Sequence, residues 1–346
     1  MIAKHLKLCL LLIITLTGLS QAQESPPQVK SDSSIFDHLY QEDPVRIQVK
    51  INFDTLISKR NTEDYIPATV TFPDKLPAHP DSWEAEIRVR GRYRRRICDM
   101  PPLRLKFDKE ALENAGMTKH NSHKLVTHCL EEQTDDRLVM REYLVYKLYN
   151  ILTDQSYRVQ LVEIEYVDAA SGNKLKHYGI LQEDIDQLED RLGREECEDC
   201  YGLTMEKFDA STIHLHDLFH FMIGNEDWSV RMVRNLKLFY SEEKDNYLAV
   251  PYDFDFSGFV NASYAIPNQD HDLDSPRDRI FLGFAEKEEE LAEALQTFRE
   301  KEEVFYQFID EFELLDKRER KDAKRYISSF YRALDRGKLF EVVSWR

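Results

Sequence analysis

The sequence predicts an α+β protein of two lobes, and three patterns carry that expectation. Between residues 44 and 183 apolar and polar residues alternate with a period of two, as in RIQVKINF and EAEIRVRG, which is the signature of half-buried strands. One helical repeat, DDRLVMREYLVYKLYNIL (135 to 152), interrupts them, with Leu138, Tyr143, Leu144, Leu148 and Ile151 on one face. From residue 184 to 346 the period becomes helical, in DIDQLEDRLG, TIHLHDLFHFMIG, EKEEELAEALQTFREKEEVFYQFIDEF and DKRERKDAKRYISSFYRALDRG. An amino-terminal antiparallel sheet lobe with one helix, followed by a mainly helical carboxy-terminal lobe, is expected.

Residues 1 to 22 read MIAKHLKLCLLLIITLTGLSQA, a positive start, an apolar run and small residues at its end, which marks a secretory signal peptide cut after Ala22. The apolar run is short for a bilayer span, so an exported protein with no stable membrane span, periplasmic or extracellular, is expected. Residues 23 to 43 are rich in Pro, Ser, Gln and Asp and read as a linker. Further strands are expected at LRLKF (103 to 107) and HKLVTH (123 to 128), and RVQLVEIEYVD with KLKHYGILQ forms a hairpin around AASGN.

The formal charge is -17, and loss of Lys4 and Lys7 with the signal makes it more negative by two. That acidity argues against nucleic-acid partners. Against this background RVRGRYRRRICDMPPLRLKFDK (88 to 109) holds seven arginines, two lysines and two acids. It is either a cradle for phosphate or a solvated basic face that pairs with the protein's own acids. Four cysteines follow the signal. Cys98 with Cys129 is the favoured disulfide, because each borders an apolar strand-like run. CEDC (197 to 200) with His216 and His220 has a zinc-finger spacing, but an oxidising compartment and the lack of a finger core favour packing roles instead.

The chemistry concentrates in GNEDWSVRMVRN (224 to 235) and PYDFDFSG (251 to 258), which sit before and after a predicted hairpin. An acid, an amide and two further acids in an apolar setting fit a hard-cation site. Asp227 is the candidate base for an attacking hydroxyl, Asn235 and Asp253 are candidate ligands of Mg2+ or Mn2+, and Asp255 is a candidate ligand of a second ion. The plain alternative is that Asp227 caps a turn and Asp253 and Asp255 are solvated turn acids. Lys106, with Lys124 as its competitor, is expected to pair with Glu142 and seat phosphates, and Glu183 to lie at a hinge that meets a base. The layout as a whole is kinase-like.

These residues resemble the CotH-like spore-coat kinases. The likeness runs from about residue 84 to 260, through RVRG and PPLRLKF, the helix at 135 to 152, YGILQEDID, GNEDW, NLKLFY and VPYDFDFSG, in that order. The resemblance implies a two-lobed protein-kinase-like fold, ATP or another nucleotide as cofactor, and phosphoryl transfer to a hydroxyl of a protein Ser/Thr or a small molecule. It assigns catalysis to Asp227, metal binding to Asn235, Asp253 and, less closely, Asp255, and phosphate contacts to the loop of Arg90 and Arg92. Where the family loop commonly reads R-G-N-S, Arg92 and Tyr93 stand in the last two places. Two other classes fit the same residues: a noncatalytic envelope protein that binds an anionic glycan or partner through the basic face, and a metal-dependent phosphate-ester hydrolase.

Overall fold

A computed structural model describes residues 33–74, 80–129 and 134–345. The signal peptide expected at 1 to 22 and residues 23 to 32 of the expected linker lie outside the described residues. Seven strands form the amino-terminal half: β1 (Val45–Ile51), β2 (Ile66–Thr71), β3 (Ser82–Val89), β4 (Leu103–Phe107), β5 (Ser122–Val126), β6 (Val159–Asp168) and β7 (Lys174–Gln182). Short helices α1 (Ile35–Leu39), α2 (Phe53–Ser58), α3 (Arg94–Ile97) and α4 (Lys109–Asn114) and the long α5 (Thr134–Leu152) lie among them. Within the stretch read as linker, Ser34 caps α1, and Ile35, Phe36 and Leu39 are buried.

The strands close into a barrel in the order β1-β2-β3-β4-β5-β7-β6. This corrects the expected antiparallel sheet of a two-lobed, protein-kinase-like fold. The ring is mixed, because β1 pairs parallel to β6, with Val45 opposite Val162 and Ile51 opposite Asp168. The physical reason is the alternation itself. Strands such as β3, whose Trp83, Ala85, Ile87 and Val89 are buried, and β4, whose Leu103, Leu105 and Phe107 are buried, each have one apolar face. Closing the ring buries that face and leaves no strand edge unpaired. Phe36, Leu56 and Leu112 from α1, α2 and α4 join the same apolar cluster.

The other half is built from α6 (Ile185–Leu192), the short strand β8 (Glu195–Glu196), α7 (Ala210–Ile223), the hairpin β9 (Leu236–Ser241) and β10 (Asn246–Pro251), α8 (Ala292–Glu311) and α9 (Lys317–Asp335). The two halves are not separate lobes. One apolar cluster runs from Val126, Val159, Leu161 and Ile180 of the barrel strands, through α5, to Phe219, Phe298 and Phe330 of α7, α8 and α9. Helix α5 is buried on several sides because it has both the barrel and the helices as neighbours. Among the described residues no helix is long and apolar enough to cross a membrane.

Cys98 is bonded to Cys129, and Cys197 to Cys200. The second bond removes both thiolates from the zinc-like spacing, and His216 and His220 contact each other in the interior at 3.2 Å. The first bond joins the end of α3 to the segment after β5, across 31 residues. Met100 N–H donates to the Cys129 carbonyl at 3.2 Å and Thr127 Oγ1 to the Met100 carbonyl at 2.9 Å, so the link sits in an already bonded corner. Replacing both Cys98 and Cys129 by alanine is expected to cost about 2 to 4 kcal/mol, by releasing a closed loop in the unfolded chain. Urea unfolding of the double variant measures it, and an unchanged midpoint would remove the loop-closure argument.

Candidate functional site

Three backbone features bring the two chemical motifs together. Helix α7 ends at Gly224, whose φ of 61° is left-handed, and a side chain there would also collide with the Tyr326 hydroxyl. The chain then turns sharply: Trp228 Nε1 donates to the Asn225 carbonyl at 3.1 Å, and Ser229 and Arg234 exchange backbone hydrogen bonds at 3.1 and 2.9 Å. This closed loop joins Asp227 to Asn235, eight positions further on, whose Nδ2 donates to the Asp227 carbonyl at 2.6 Å and to Asp227 Oδ2 at 2.9 Å. The β9-β10 register sets Leu236 opposite Pro251, and Tyr252 N–H donates to the Asn235 carbonyl at 3.0 Å. Asp253 therefore begins just beyond the hairpin, on the side where Asn235 enters it.

Asn235 and Asp253 both have positive φ, 55° and 64°. Asn and Asp tolerate this region better than other side-chain-bearing residues, at a cost that persists where surrounding contacts enforce it. Here the enforcing contacts are the Asn235 amide bonds and the Tyr146 hydroxyl, which accepts the Asp253 N–H at 3.0 Å. Tyr146 lies on α5 and packs edge-on against Phe254 at 4.8 Å.

Four carboxylates share this corner, and one buried guanidinium, Arg94, faces three of them. Burial raises Asp227, Asp253 raises it further, and Arg234 and Asn235 oppose the rise. Asp255 is pushed up to about 7 by burial and then by Asp253, against the pull of Arg94. Tyr264 donates its hydroxyl to Asp255 Oδ2 at 2.9 Å. Glu142 is pushed up to about 8, again by burial first and by Asp255 next. Arg94 approaches Glu142 only to 3.8 Å and also donates to the Thr127 carbonyl. A guanidinium at that distance, shared with Asp253 and Asp255, does not neutralise three acids, so Glu142 rises in spite of its ion pair.

The proposed cation fits these residues in two respects. Glu142 Oε1 is buried with no hydrogen-bond partner, and the acids raise one another's pKa as an uncompensated cluster does. The Asn235 Nδ2 is committed to Asp227, which leaves its Oδ1 as the ligating atom. Among the described residues no group of three or more His, Cys, Asp or Glu side chains forms a ready cage. An ion here would draw on the Asn235 amide and one or two carboxylates, with the remaining positions supplied by water or phosphate, as is usual for Mg2+.

The other sequence candidates divide. Lys124 lies with the acids: its buried Nζ sits 3.7 Å from the Tyr252 ring, has no hydrogen-bond partner, and feels Arg90 and Asp253. Burial, and then Arg90, hold its ammonium well below the normal range. Lys106 does not reach Glu142. It faces outward, 3.8 Å from Glu86 and 5.4 Å from the Tyr65 ring. The cause is the register of β3 and β4, which sets Lys106 opposite Glu86 on the solvent face. Glu183 lies between β7 and α6, and its buried carboxylate is bonded by Arg158 at 2.9 Å and Arg191 at 2.7 Å, together with the Arg158 amide. Arg92 is exposed. Arg88 of β3 and Arg95 of α3 both pair with Glu63, so the basic run is partly matched by the protein's own acids.

Sequence reasoning missed Arg94, one of seven arginines in its run, and Tyr146 and Tyr264, which no motif marks. It also missed a buried hydrogen-bonded chain behind Asp227. Asp217 Oδ1 meets His216 Nδ1 at 3.0 Å, His216 Nε2 meets His220 Nε2 at 3.2 Å, and His220 Nδ1 meets Asn225 Nδ2 at 3.2 Å. Asn225 Oδ1 then accepts the Asp227 N–H at 3.0 Å. The i, i+4 spacing of His216 and His220 on one helix was the available signal.

Comparison with known protein families and with curated proteins finds no match for this chain.

The raised carboxyls set a pH dependence whose sign can be worked out. Asp255 and Glu142 bind protons more tightly folded than unfolded, so stability falls as pH climbs from about 4, the unfolded value, through about 7 and about 8. In EDTA the Tm is expected to drop between pH 5 and pH 8, and Asp255→Asn to flatten that drop. Added Mn2+ is expected to raise Tm more at pH 8 than at pH 5, because it replaces protons on the same oxygens. A Tm that rises with pH across this window in EDTA would contradict the assignment.

Proposed function

We propose that this protein is a metal-dependent phosphotransferase that moves a phosphoryl group from ATP or another nucleotide to a hydroxyl acceptor. The observation that carries this reading is the convergence of Asp227, Asn235, Asp253 and Asp255 on one corner, with the Lys124 amine and the Arg90 guanidinium nearby. The likeness to the CotH-like kinases supports it through the order of site residues along the chain and carries no claim about fold.

Asp227 is the acceptor-side group. Its Oδ2 is held by Asn235, and its Oδ1 lies 3.6 Å from Arg234 Nε. The acceptor hydroxyl gives its proton to Oδ1 as its oxygen bonds to the terminal phosphorus, and the bond from phosphorus to the nucleoside diphosphate oxygen breaks. Burial raises the basicity of Asp227 for that proton. Arg90 offers positive charge to the phosphates from the barrel side, beside the buried Lys124 amine. A divalent ion on Asn235 and Asp253 would supply charge neutralisation on the phosphate oxygens.

An exported setting belongs to the same proposal. It is supported by the signal-like first 22 residues and by two disulfides, which persist in oxidising compartments.

The test is a contrast of two variants. Asp227→Asn is expected to lower turnover by about 10² to 10⁴-fold, the usual share of a positioned base, while nucleotide binding with Mn2+ stays near wild type. Asp253→Asn is expected to lose both. Calorimetry with ATP, with and without Mn2+, reads binding, and phosphate release or autophosphorylation reads turnover. Turnover that survives Asp227→Asn would remove the mechanism, and equal ATP binding in EDTA would remove the shared metal.

A further inference from the structure

A second charged concavity lies away from the acid cluster, between α5, α9 and the loop that carries Arg277. It encloses about 470 Å³ and is lined by six cations, Arg137, Arg141, Arg277, Arg318, Lys321 and Arg325, against two carboxylates, Glu319 and Asp322. In a chain of formal charge -17 this is a local surplus of four positive charges.

The two carboxylates are already committed. Asp322 Oδ1 accepts from Arg277 at 3.1 Å and Arg325 at 2.9 Å, and its Oδ2 accepts from Arg141 and Arg277, both at 2.9 Å. Glu319 takes Arg137 on one oxygen at 3.1 Å and Arg141 on the other at 2.9 Å. The side chains of Arg318 and Lys321 form no ion pair within 4.0 Å among the described residues, and the buried Nε atoms of Arg141 and Arg277 have no partner. Arg318, Lys321 and Arg325 recur at helical spacing on α9, so they share one face.

Their place in the helix sharpens the point. Arg318 and Lys321 fall in the first turns of α9, where cations oppose the helix dipole and anions are favoured. Water accounts for either side chain taken singly. It does not account for a concave wall with buried arginines at its base, saturated carboxylates, and two cations without an ion pair at a helix start whose N–H groups the Asp316 carboxylate already caps. We propose that this pocket binds a tetrahedral dianion, a phosphate or sulfate group, which takes the forked guanidinium donors and offsets the charge surplus. The pocket shares none of Asp227, Asn235, Asp253 or Asp255, so occupancy here is separable from nucleotide binding there.

The experiment titrates the protein with inorganic phosphate, and separately with sulfate, by calorimetry in EDTA at constant ionic strength set with chloride. Arg318→Gln/Lys321→Gln removes two exposed cations from the pocket, and Lys244→Gln/Lys287→Gln removes two exposed cations elsewhere. Wild type and the remote variant are expected to bind one dianion alike, and the pocket variant to bind it at least about tenfold more weakly. Equal binding of sulfate and phosphate would assign the site to tetrahedral dianions in general, and a clear preference for phosphate to phosphate groups. Absence of saturable binding to wild type up to about 10 mM of either ion, or full binding by the pocket variant, would overturn the proposal.

Discussion

One buried guanidinium set among several acids governs the candidate site. Arg94 interacts with Glu142, Asp255 and Asp253, yet its contact with Glu142 is 3.8 Å long, and both Glu142 and Asp255 keep their protons far above the ordinary carboxylate range. A buried carboxylate left without a partner is expensive, and removing water from several at once is more so. The corner is tolerable with protons on two of its acids, or with a cation among them. That alternative, protons or a cation, gives the arrangement its chemical interest.

The rest of the structure holds those groups where they compete. Arg94 opens a four-residue helix whose next residue, Cys98, is bonded to Cys129, and its guanidinium donates to the Thr127 carbonyl close by. The disulfide thus pins the cation from the barrel side. Glu142 and Tyr146 come from α5, which is fixed between the barrel and the helices by apolar packing on several sides. Asp227 and Asn235 are locked to each other by the Asn235 amide, and the histidine chain from Asp217 to Asn225 orients the loop from behind. Rigid placement of this kind is what electrostatic stabilisation of a developing charge requires.

Local pattern was legible where local physics decides it. The strand at Leu103–Phe107 has the bounds its alternation gives, the β6-β7 hairpin follows its turn residues, and the helix near 135 to 152 follows its 3.6-residue repeat. The barrel was not legible. Its closing contact joins Val45 to Val162, a parallel pairing over more than a hundred residues that no turn announces, and β2, IPATVT, has a proline at its second position that obscures its strand character. The acids at 227, 253 and 255 stood out because carboxylates in apolar runs are unusual. Lys106 misled because alternation alone does not say which solvent-facing partner a register supplies, and that partner is Glu86. Arg94 and Tyr264 gave no signal, since their roles arise from tertiary placement.

The central claim is that the acid corner is a site for a divalent cation. Electron paramagnetic resonance of Mn2+ tests it directly, because the ion's free signal shrinks as it binds. At pH 7.5 in the absence of nucleotide, wild-type protein is expected to withdraw Mn2+ from solution, and Asp253→Asn and Asn235→Ala each to weaken that uptake by at least about tenfold, the equivalent of 1.4 kcal/mol. Uptake by both variants equal to that of wild type, or none by wild type at millimolar ion, would contradict the account.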